Sequence, residues 1–217
     1  GYTVATEMYS AGIDRLTHQP LSFSVSETTE GVHIHIIDAE LMGKGEKEKK
    51  DLYIEGVQNN GIINHYEYII NSEGTIEIRH VLKPEGKMPL WFPRIGLTLT
   101  VSDALDQVKW YGRGPQENYP DRKTGYPMGI YASTVQAMYE PYLMPQDYGL
   151  RTDVRWLQLT TDKGIGLQFK MNEWFNFNIY PYSTDNLTKA MYTYQLQKQK
   201  GMTLNLDYAT TGVGWTA

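Results

Sequence analysis

Apolar and polar residues alternate with a period of two along much of this chain, and this pattern limits the fold more than any other feature. Residues 95–101 read Ile-Gly-Leu-Thr-Leu-Thr-Val, and residues 32–36 read Val-His-Ile-His-Ile. Alternation of this kind places one side of a strand in a core and the other side toward solvent. The same pattern predicts further strands at residues 62–70, 75–82, 155–161, 164–170, 174–180 and 202–208, with a four-residue hairpin loop at 71–74.

Helix signals are few in comparison. Residues 5–16 fit a short helix, and Thr-Asp-Asn at 184–186 fits the cap of a second helix that continues to residue 191. Many strands, few helices and long polar loops indicate a large antiparallel all-β sandwich. The sequence contains no internal repeat or low-complexity linker, so we expect a single domain over residues 1–217, truncated at both ends.

Charge and cysteine content exclude several classes of protein. The net charge is −5 and the pI is near 5.6, which argues against a nucleic-acid partner because phosphate binding needs a basic field. The absence of cysteine removes disulfides, thiolate zinc sites and thiol nucleophiles. No apolar stretch approaches the roughly 18 residues of a membrane span, so we expect no membrane partner. The compartment stays open between cytoplasm and periplasm or secretion.

Residues 110–122 form the densest group of functional side chains in the chain. They read Trp-Tyr-Gly-Arg-Gly-Pro-Gln-Glu-Asn-Tyr-Pro-Asp-Arg, with two arginines, two carboxylates, two amides and three aromatic rings. Two glycines and two prolines predict a loop rather than a helix or strand. Such a loop suits sugar binding, and it equally suits contact between domains.

Glu117 and Asp121 are the two carboxylates of this motif. A glycosidase needs two carboxyl groups about 5 Å or 6.5–9.5 Å apart, according to mechanism, and their spacing in sequence allows this. The alternative, which we favour, pairs them with Arg113 and Arg122 and with loop N–H groups, so that they hold the shape of the loop.

Three histidines have functional alternatives. His33 and His35 lie two apart on a predicted strand, so they share a face and could share a metal. No third ligand is identifiable in the sequence, so we favour solvent-facing histidines and assign no metal site. His80 lies near Glu77, which makes a conceivable acid–base pair.

The predicted strand at 174–180 places Trp174, Asn176, Asn178 and Tyr180 on one face. The opposite face carries phenylalanines and is expected to be core. The Trp/Asn/Tyr face fits a sugar-stacking platform, but packing at an edge or interface is the favoured alternative.

Several segments together resemble one known family. The run at 110–122, Arg94-Ile95-Gly96 upstream, and residues 139–151, of the form Y-x-P-Y-x-x-P-x-x-x-G-x-R, are similar to the small-chain, C-terminal domain (domain 5) of β-galactosidases in glycoside hydrolase family 2. Further matches follow in order and at similar spacing: Phe177-Asn178, Tyr182-Ser183, Leu187, Leu204 to Asp207, and Gly212 to Gly214. Residues 11–16, Ala-Gly-Ile-Asp-Arg-Leu, resemble the A-G-L-x-x-L segment of that family.

The resemblance implies an antiparallel β-supersandwich of the galactose-mutarotase-like type. In the family this domain follows a (β/α)8 barrel that supplies both catalytic glutamates. The resemblance therefore implies that this chain has no catalytic residue and no cofactor of its own, and that Mg or Na, where used, belongs to the barrel of the parent enzyme. It also implies a parent that hydrolyses terminal non-reducing β-D-galactosides by the retaining route.

We predict that the motif supplies an interdomain or sugar-facing surface. The residues of this predicted surface are Arg113, Gln116, Glu117, Asn118, Tyr119, Asp121 and Arg122. Trp215 is an eighth candidate, because a tryptophan after a G-D-D-S stretch lines the galactoside site in well-known family members. Here Trp215 follows Gly214 directly, which leaves its equivalence to that tryptophan open.

The expected role is scaffolding of the barrel, with the galactoside and the other domains of the same polypeptide as partners and a homo-oligomer also compatible. Two rivals remain. One is a stand-alone carbohydrate-binding module, and the other is an aldose-epimerase-like enzyme, which needs an acid and a base flanking the sugar ring.

Overall fold

A computed structural model describes residues 11–42 and 60–211, and these residues divide between Trp91 and Phe92 into two compact units. The expected single domain over residues 1–217 stays a prediction. The expected helix at 5–16 lies only partly within the described residues, where Ile13–Arg15 form a short 3-10 helix. No helix in the described ranges is long and apolar enough to cross a membrane.

The first unit contains a four-stranded antiparallel sheet in the order β1-β2-β3-β4. Its strands are β1 (Thr17–Thr28), β2 (Gly31–Leu41), β3 (Gly61–Ile70) and β4 (Ile76–Glu85). The predicted hairpin loop between β3 and β4 is confirmed, because Gly74 donates to the Asn71 carbonyl at 3.2 Å and adopts a φ of 82°. The edge strand β1 was not predicted, and all of its residues are exposed.

The second unit contains a six-stranded antiparallel sheet in the order β5-β10-β9-β8-β6-β7. Its strands are β5 (Arg94–Val101), β6 (Gln107–Arg113), β7 (Met128–Thr134), β8 (Arg151–Thr160), β9 (Gly166–Tyr180) and β10 (Met202–Thr210). Two antiparallel sheets with little helix confirm the predicted all-β fold class and agree with an all-β sandwich.

Three local predictions need correction. The strands expected at 164–170 and 174–180 are one strand, β9. Its pairing with β8 continues across residues 171–174, where β9 carries extra residues between the partners of Val154 and Trp156. Residues 110–113 lie in β6 and not in a loop. The helix expected at 184–191 spans Thr184–Lys189, and its cap is Ser183, whose hydroxyl accepts from the Asn186 N–H at 3.0 Å.

The two faces of the six-stranded sheet differ in chemistry. One face is the apolar core, in which Trp110, Phe175, Phe177 and Leu204 are fully buried; each such side chain stabilises the fold by about 2–3 kcal/mol. Along β9 and β10 the alternate residues are polar, and they are buried as well. This buried polar face is built mainly by Asn176, Asn178, Tyr180, Asn205 and Asp207.

Candidate functional site

The first four residues of the motif at 110–122 lie in strand β6. Gly112 fits there because the neighbouring strand leaves no room for a side chain. A Cβ on Gly112 would lie 2.8 Å from Val154 Cγ2 and 3.0 Å from Val154 Cα on the neighbouring strand. Trp110 is fully buried in the core, and its indole N–H donates to the Arg113 carbonyl at 3.0 Å. The chain then leaves the sheet at Gly114, and the remaining motif residues form a loop.

Glu117 is the centre of that loop. Its buried carboxylate accepts from the guanidinium of Arg122 at 3.0 Å and from the backbone N–H of Gly149 at 2.9 Å. The hydroxyl of Tyr119 donates to it at 3.4 Å, and the hydroxyl of Tyr142 donates to it as well. Burial and the hydrogen bond to Glu117 raise the pKa of Tyr142 to about 12, so this hydroxyl stays a donor at neutral pH.

Asn118 joins the motif to the start of β8. Its backbone N–H donates to the Leu150 carbonyl at 2.8 Å. Its side-chain carbonyl accepts from the Thr152 N–H at 3.1 Å and from the Thr152 hydroxyl at 2.5 Å. Asn118 is completely buried, so its role is to fix the loop and not to contact a sugar from the surface.

Arg151 also holds this loop in place, through hydrogen bonds to backbone carbonyls. Its guanidinium donates to the Gly149 carbonyl at 2.8 Å and to the Pro115 carbonyl at 2.9 Å, and it lies 5.5 Å from the Trp110 ring centroid. Burial lowers the pKa of Arg151 to about 10, although the neighbouring carboxylate of Glu140 raises it. Arg151 is therefore still charged at neutral pH, which makes its hydrogen bonds strong.

Arg113 has a different partner from the one expected. Its Nε lies 2.6 Å from Asp153 Oδ2, and Lys123 Nζ lies 2.6 Å from Asp153 Oδ1. Nη1 of Arg113 donates to the Tyr126 carbonyl at 3.0 Å. The predicted pairing of Asp121 with these arginines is wrong: Asp121 is exposed, and its side chain forms no ion pair or hydrogen bond within the described part of the chain.

A second ionic cluster lies on the buried polar face. Arg94 contacts two carboxylates, Asp147 at 3.2 Å and Asp207 at 3.0 Å. Asn178 and Tyr180 donate to the other oxygen of Asp147 at 2.9 and 3.3 Å. Burial raises the pKa of Asp207 to about 7, although Arg94 lowers it and Asp147 raises it further.

The Trp/Asn/Tyr face of β9 thus belongs mostly to a packed interior. Asn178 and Tyr180 are fully buried, and Asn205 bridges them with hydrogen bonds of 2.8 and 3.0 Å. Only Trp174 is exposed, and Arg155 lies 4.7 Å from its ring centroid. The amide and tyrosine residues are packed, as the favoured alternative expected, but they lie in the interior of an inner strand and not at an edge or interface.

The structure brings together only part of the predicted surface. Glu117, Tyr119 and Arg122 contact one another, whereas Arg113 joins a separate ion pair. Of the seven predicted surface residues in this motif, Gln116, Asp121 and Arg122 are exposed. Trp215 lies outside the described residues.

Sequence reasoning did not assign roles to Asp147, Arg151, Asp153 and Asp207, which form the ion pairs and charged hydrogen bonds described above. Three of them lie in the segments that carry the family resemblance, which was the available signal. The polar residues at alternate positions of β9 and β10 were a second signal, because a strand with one apolar and one polar buried face requires internal partners.

A pocket with a volume of about 350 Å³ opens elsewhere in the second unit. Tyr139 and Tyr148 pack edge to face in its wall, with ring centroids 5.2 Å apart. The pocket lining includes two carboxylates, one amide and three tyrosines: Asp103, Asp106, Gln136, Tyr139, Tyr148 and Tyr182.

Comparison with known proteins gives a consistent result. A family described as the beta galactosidase small chain matches residues 7–217. A beta-galactosidase of Priestia megaterium is 38% identical over 147 residues, which are 68% of this chain and 14% of that protein. A beta-galactosidase of Vibrio cholerae is 31% identical over 207 residues, which are 95% of this chain and 18% of that protein. The chain therefore spans less than a fifth of the length of these relatives.

Proposed function

Because the chain belongs to the beta galactosidase small-chain family, we propose that it is a non-catalytic part of a longer β-galactosidase of glycoside hydrolase family 2 that hydrolyses terminal non-reducing β-D-galactosides. Its role is to support the catalytic domain of the same polypeptide. The relatives that carry the name beta-galactosidase support the parent activity.

The main support for a non-catalytic role is that the Glu117 carboxylate is already occupied by hydrogen bonds within the chain. It is buried and accepts hydrogen bonds from Arg122, Gly149 and two tyrosines. A retaining glycosidase needs one carboxylate free to attack the sugar and a second to transfer a proton. Glu117 is committed to holding the loop, which supports a structural function for the motif.

The exposed residues of the loop define the contact surface of this proposal. Gln116, Asp121 and Arg122 project from a loop whose backbone is held by Asn118 and Arg151. A rigid loop with exposed polar ends binds a partner at a low cost in conformational entropy. We assign this surface to the contact with the catalytic domain or with the rim of its sugar site.

The test uses the full-length parent and the 217-residue chain in parallel. We expect the isolated chain to release no nitrophenol from nitrophenyl β-galactoside. In the parent, the triple change Gln116→Ala, Asp121→Ala and Arg122→Ala should lower kcat/KM or impair assembly. The matched control is Asp162→Ala with Lys163→Ala, exposed residues of the β8–β9 turn. A parent that keeps full activity and assembly in the triple variant contradicts the proposal.

The tyrosine-lined pocket supports a second candidate, carbohydrate binding by this chain itself. Aromatic rings beside carboxylate and amide groups are a combination that suits a sugar, because the rings pack on its apolar face and the polar groups bind its hydroxyls. Calorimetry with a β-galactoside tests this candidate. Binding should be lost in Tyr182→Ala and kept in Tyr194→Ala, an exposed tyrosine outside the pocket.

The epimerase alternative has less support. His80 and Glu77 lie on opposite faces of β4, because they are three positions apart in a strand of regular register. His80 instead contacts Asn64 at 3.0 Å and stacks on Tyr66 at 4.2 Å. Polarimetry of α-galactose with the purified chain should show no acceleration of mutarotation.

A further inference from the structure

Two histidines and a glutamate meet on one face of the sheet in the first unit. His33 and His35 lie two residues apart on β2, so their side chains share a face. Glu67 is the direct cross-strand partner of His35 on β3. One ligand atom from each of the three side chains lies within 4.8 Å of the others. The sheet register therefore provides the third ligand that the sequence did not reveal.

One nitrogen of each histidine ring approaches the same carboxylate oxygen of Glu67. His33 Nδ1 lies 3.8 Å and His35 Nε2 lies 3.9 Å from the same oxygen, Glu67 Oε1. In a tetrahedral site with bonds of about 2.0–2.1 Å, neighbouring ligand atoms are roughly 3.4 Å apart. A contraction of about half an ångström brings each histidine nitrogen to that separation from Glu67 Oε1. The two histidine nitrogens lie within 4.8 Å of each other, and rotation of the exposed His35 side chain closes the rest of that distance.

The surrounding groups orient the three side chains. Arg79 holds the other oxygen of Glu67 at 3.1 Å, which leaves Oε1 directed toward the histidines. On the far side of the His33 ring, Nε2 is buried and makes no hydrogen bond among the described residues, while Glu30 Oε2 lies 3.9 Å from it. A carboxylate behind a metal-binding histidine is the common arrangement that fixes ring orientation. Only 14% of the His33 side chain is exposed, so the expectation of a solvent-facing histidine is wrong at this position.

We propose that His33, His35 and Glu67 form a binding site for a divalent transition-metal ion, with zinc as the ion that fits the donor set. Two imidazoles and one carboxylate suit zinc, which commonly takes three protein ligands and one water. Magnesium and calcium prefer a full set of oxygen ligands. The half-exposed His35 side chain leaves a path for the ion and for the water.

Arg79 sets the strength of this site. Its positive charge beside Glu67 opposes a cation, so the affinity is lower than that of a buried structural zinc site. The same arginine also pairs with Glu77 at 2.9 Å, which holds its charge away from Oε1. The site is therefore one that binds zinc reversibly from solution.

Calorimetric titration of the 217-residue chain with ZnCl2 tests the proposal, with MgCl2 as a parallel arm. We expect one zinc ion per chain and no magnesium binding. His35→Ala and Glu67→Gln should each weaken zinc binding at least tenfold, and Glu30→Gln should weaken it by about tenfold. Circular dichroism confirms that each variant is folded.

His18→Ala is the matched control. His18 lies 3.8 Å from Asp38 and 3.6 Å from Glu40, so it also places one imidazole beside two carboxylates, but without a second histidine. Zinc binding should be unchanged in this variant. Absence of zinc binding in the wild type, or equal weakening by His18→Ala and His35→Ala, overturns the proposal. Retained binding in a folded His35→Ala variant overturns it as well.

Discussion

The carboxylate of Asp153 lies 2.6 Å from Arg113 Nε, across 40 residues of sequence, and its backbone has a positive φ of 55°. A left-handed conformation costs roughly 1–2 kcal/mol in most residues, and aspartate tolerates it better than most. Lys123 holds the other oxygen at the same distance. The two cations therefore offset the cost of this backbone conformation and tie β6 and the loop after the motif to β8.

Replacing Asp153 by Asn tests the value of this charge, because asparagine tolerates the same backbone conformation. We expect the free energy of unfolding to fall by about 1–3 kcal/mol, measured by urea unfolding followed by tryptophan fluorescence. Burial raises the pKa of Asp153, but hydrogen bonds from Lys123 and Arg113 lower it below the usual 3.8.

The pH dependence of the same variant follows from the lowered pKa. The stability that Asp153 contributes is fully present above pH 3.8 and is lost as the pH falls through the lower folded-state pKa. The difference between wild type and variant should thus be constant at neutral pH and shrink in acid below 3.8. A difference that grows with acidification contradicts this assignment.

Glu117→Gln should destabilise the chain, because a neutral amide cannot serve the cation and the donors that now bind the carboxylate. We expect a loss of about 2–3 kcal/mol in the free energy of unfolding. Asp121→Asn is the control from the same loop, and as an exposed change it should stay within about 0.5 kcal/mol of wild type. Equal effects of the two changes in thermal unfolding contradict the role of Glu117 as the centre of the loop.

Asp207 should produce a pH dependence of opposite sign. Its folded-state pKa of about 7 lies above the usual 3.8, so the folded chain holds a proton between these values that the unfolded chain has lost. The contribution is fully present below pH 3.8, and the free energy of unfolding falls as the pH rises toward 7.

The variant Asp207→Asn isolates this effect, because it removes the titration and leaves Arg94 its contact with Asp147. Urea unfolding at intervals from pH 4 to pH 8 should show a flatter profile in the variant than in the wild type. Parallel profiles for the two proteins contradict the raised pKa of Asp207.

The structural predictions that succeeded were based on patterns among neighbouring residues. The alternation at residues 95–101 depends only on neighbouring residues, and it appears in the structure as β5. The hairpin loop ending at Gly74 is equally local, since glycine supplies the positive φ that the turn needs. The family resemblance, which depends on motif order along the whole chain, is confirmed by the family match.

Predictions failed where a distant segment decides the outcome. Gly112 looked like a loop residue, but its small size serves Val154 on the neighbouring strand. The partner of Arg113 is Asp153, and the carboxylate beside the two histidines is that of Glu67, which the register of β2 on β3 brings to them. Register is a property of paired strands, and no pattern within one strand specifies it.

Gly112→Ala tests the claim that packing, and not backbone freedom, requires this glycine. The added methyl group would meet Val154 at 2.8 Å, so we expect a loss of about 1–3 kcal/mol in the free energy of unfolding. Gly125→Ala is the matched control, because a Cβ there meets nothing within 4 Å, and this variant should be as stable as the wild type or slightly more stable. Thermal unfolding of both variants is the measurement. Because Val154 lies against Gly112, the double variant Gly112→Ala with Val154→Ala should lose less stability than the sum of the losses in the two single variants. Strict additivity of the two losses would show that the glycine is required for another reason.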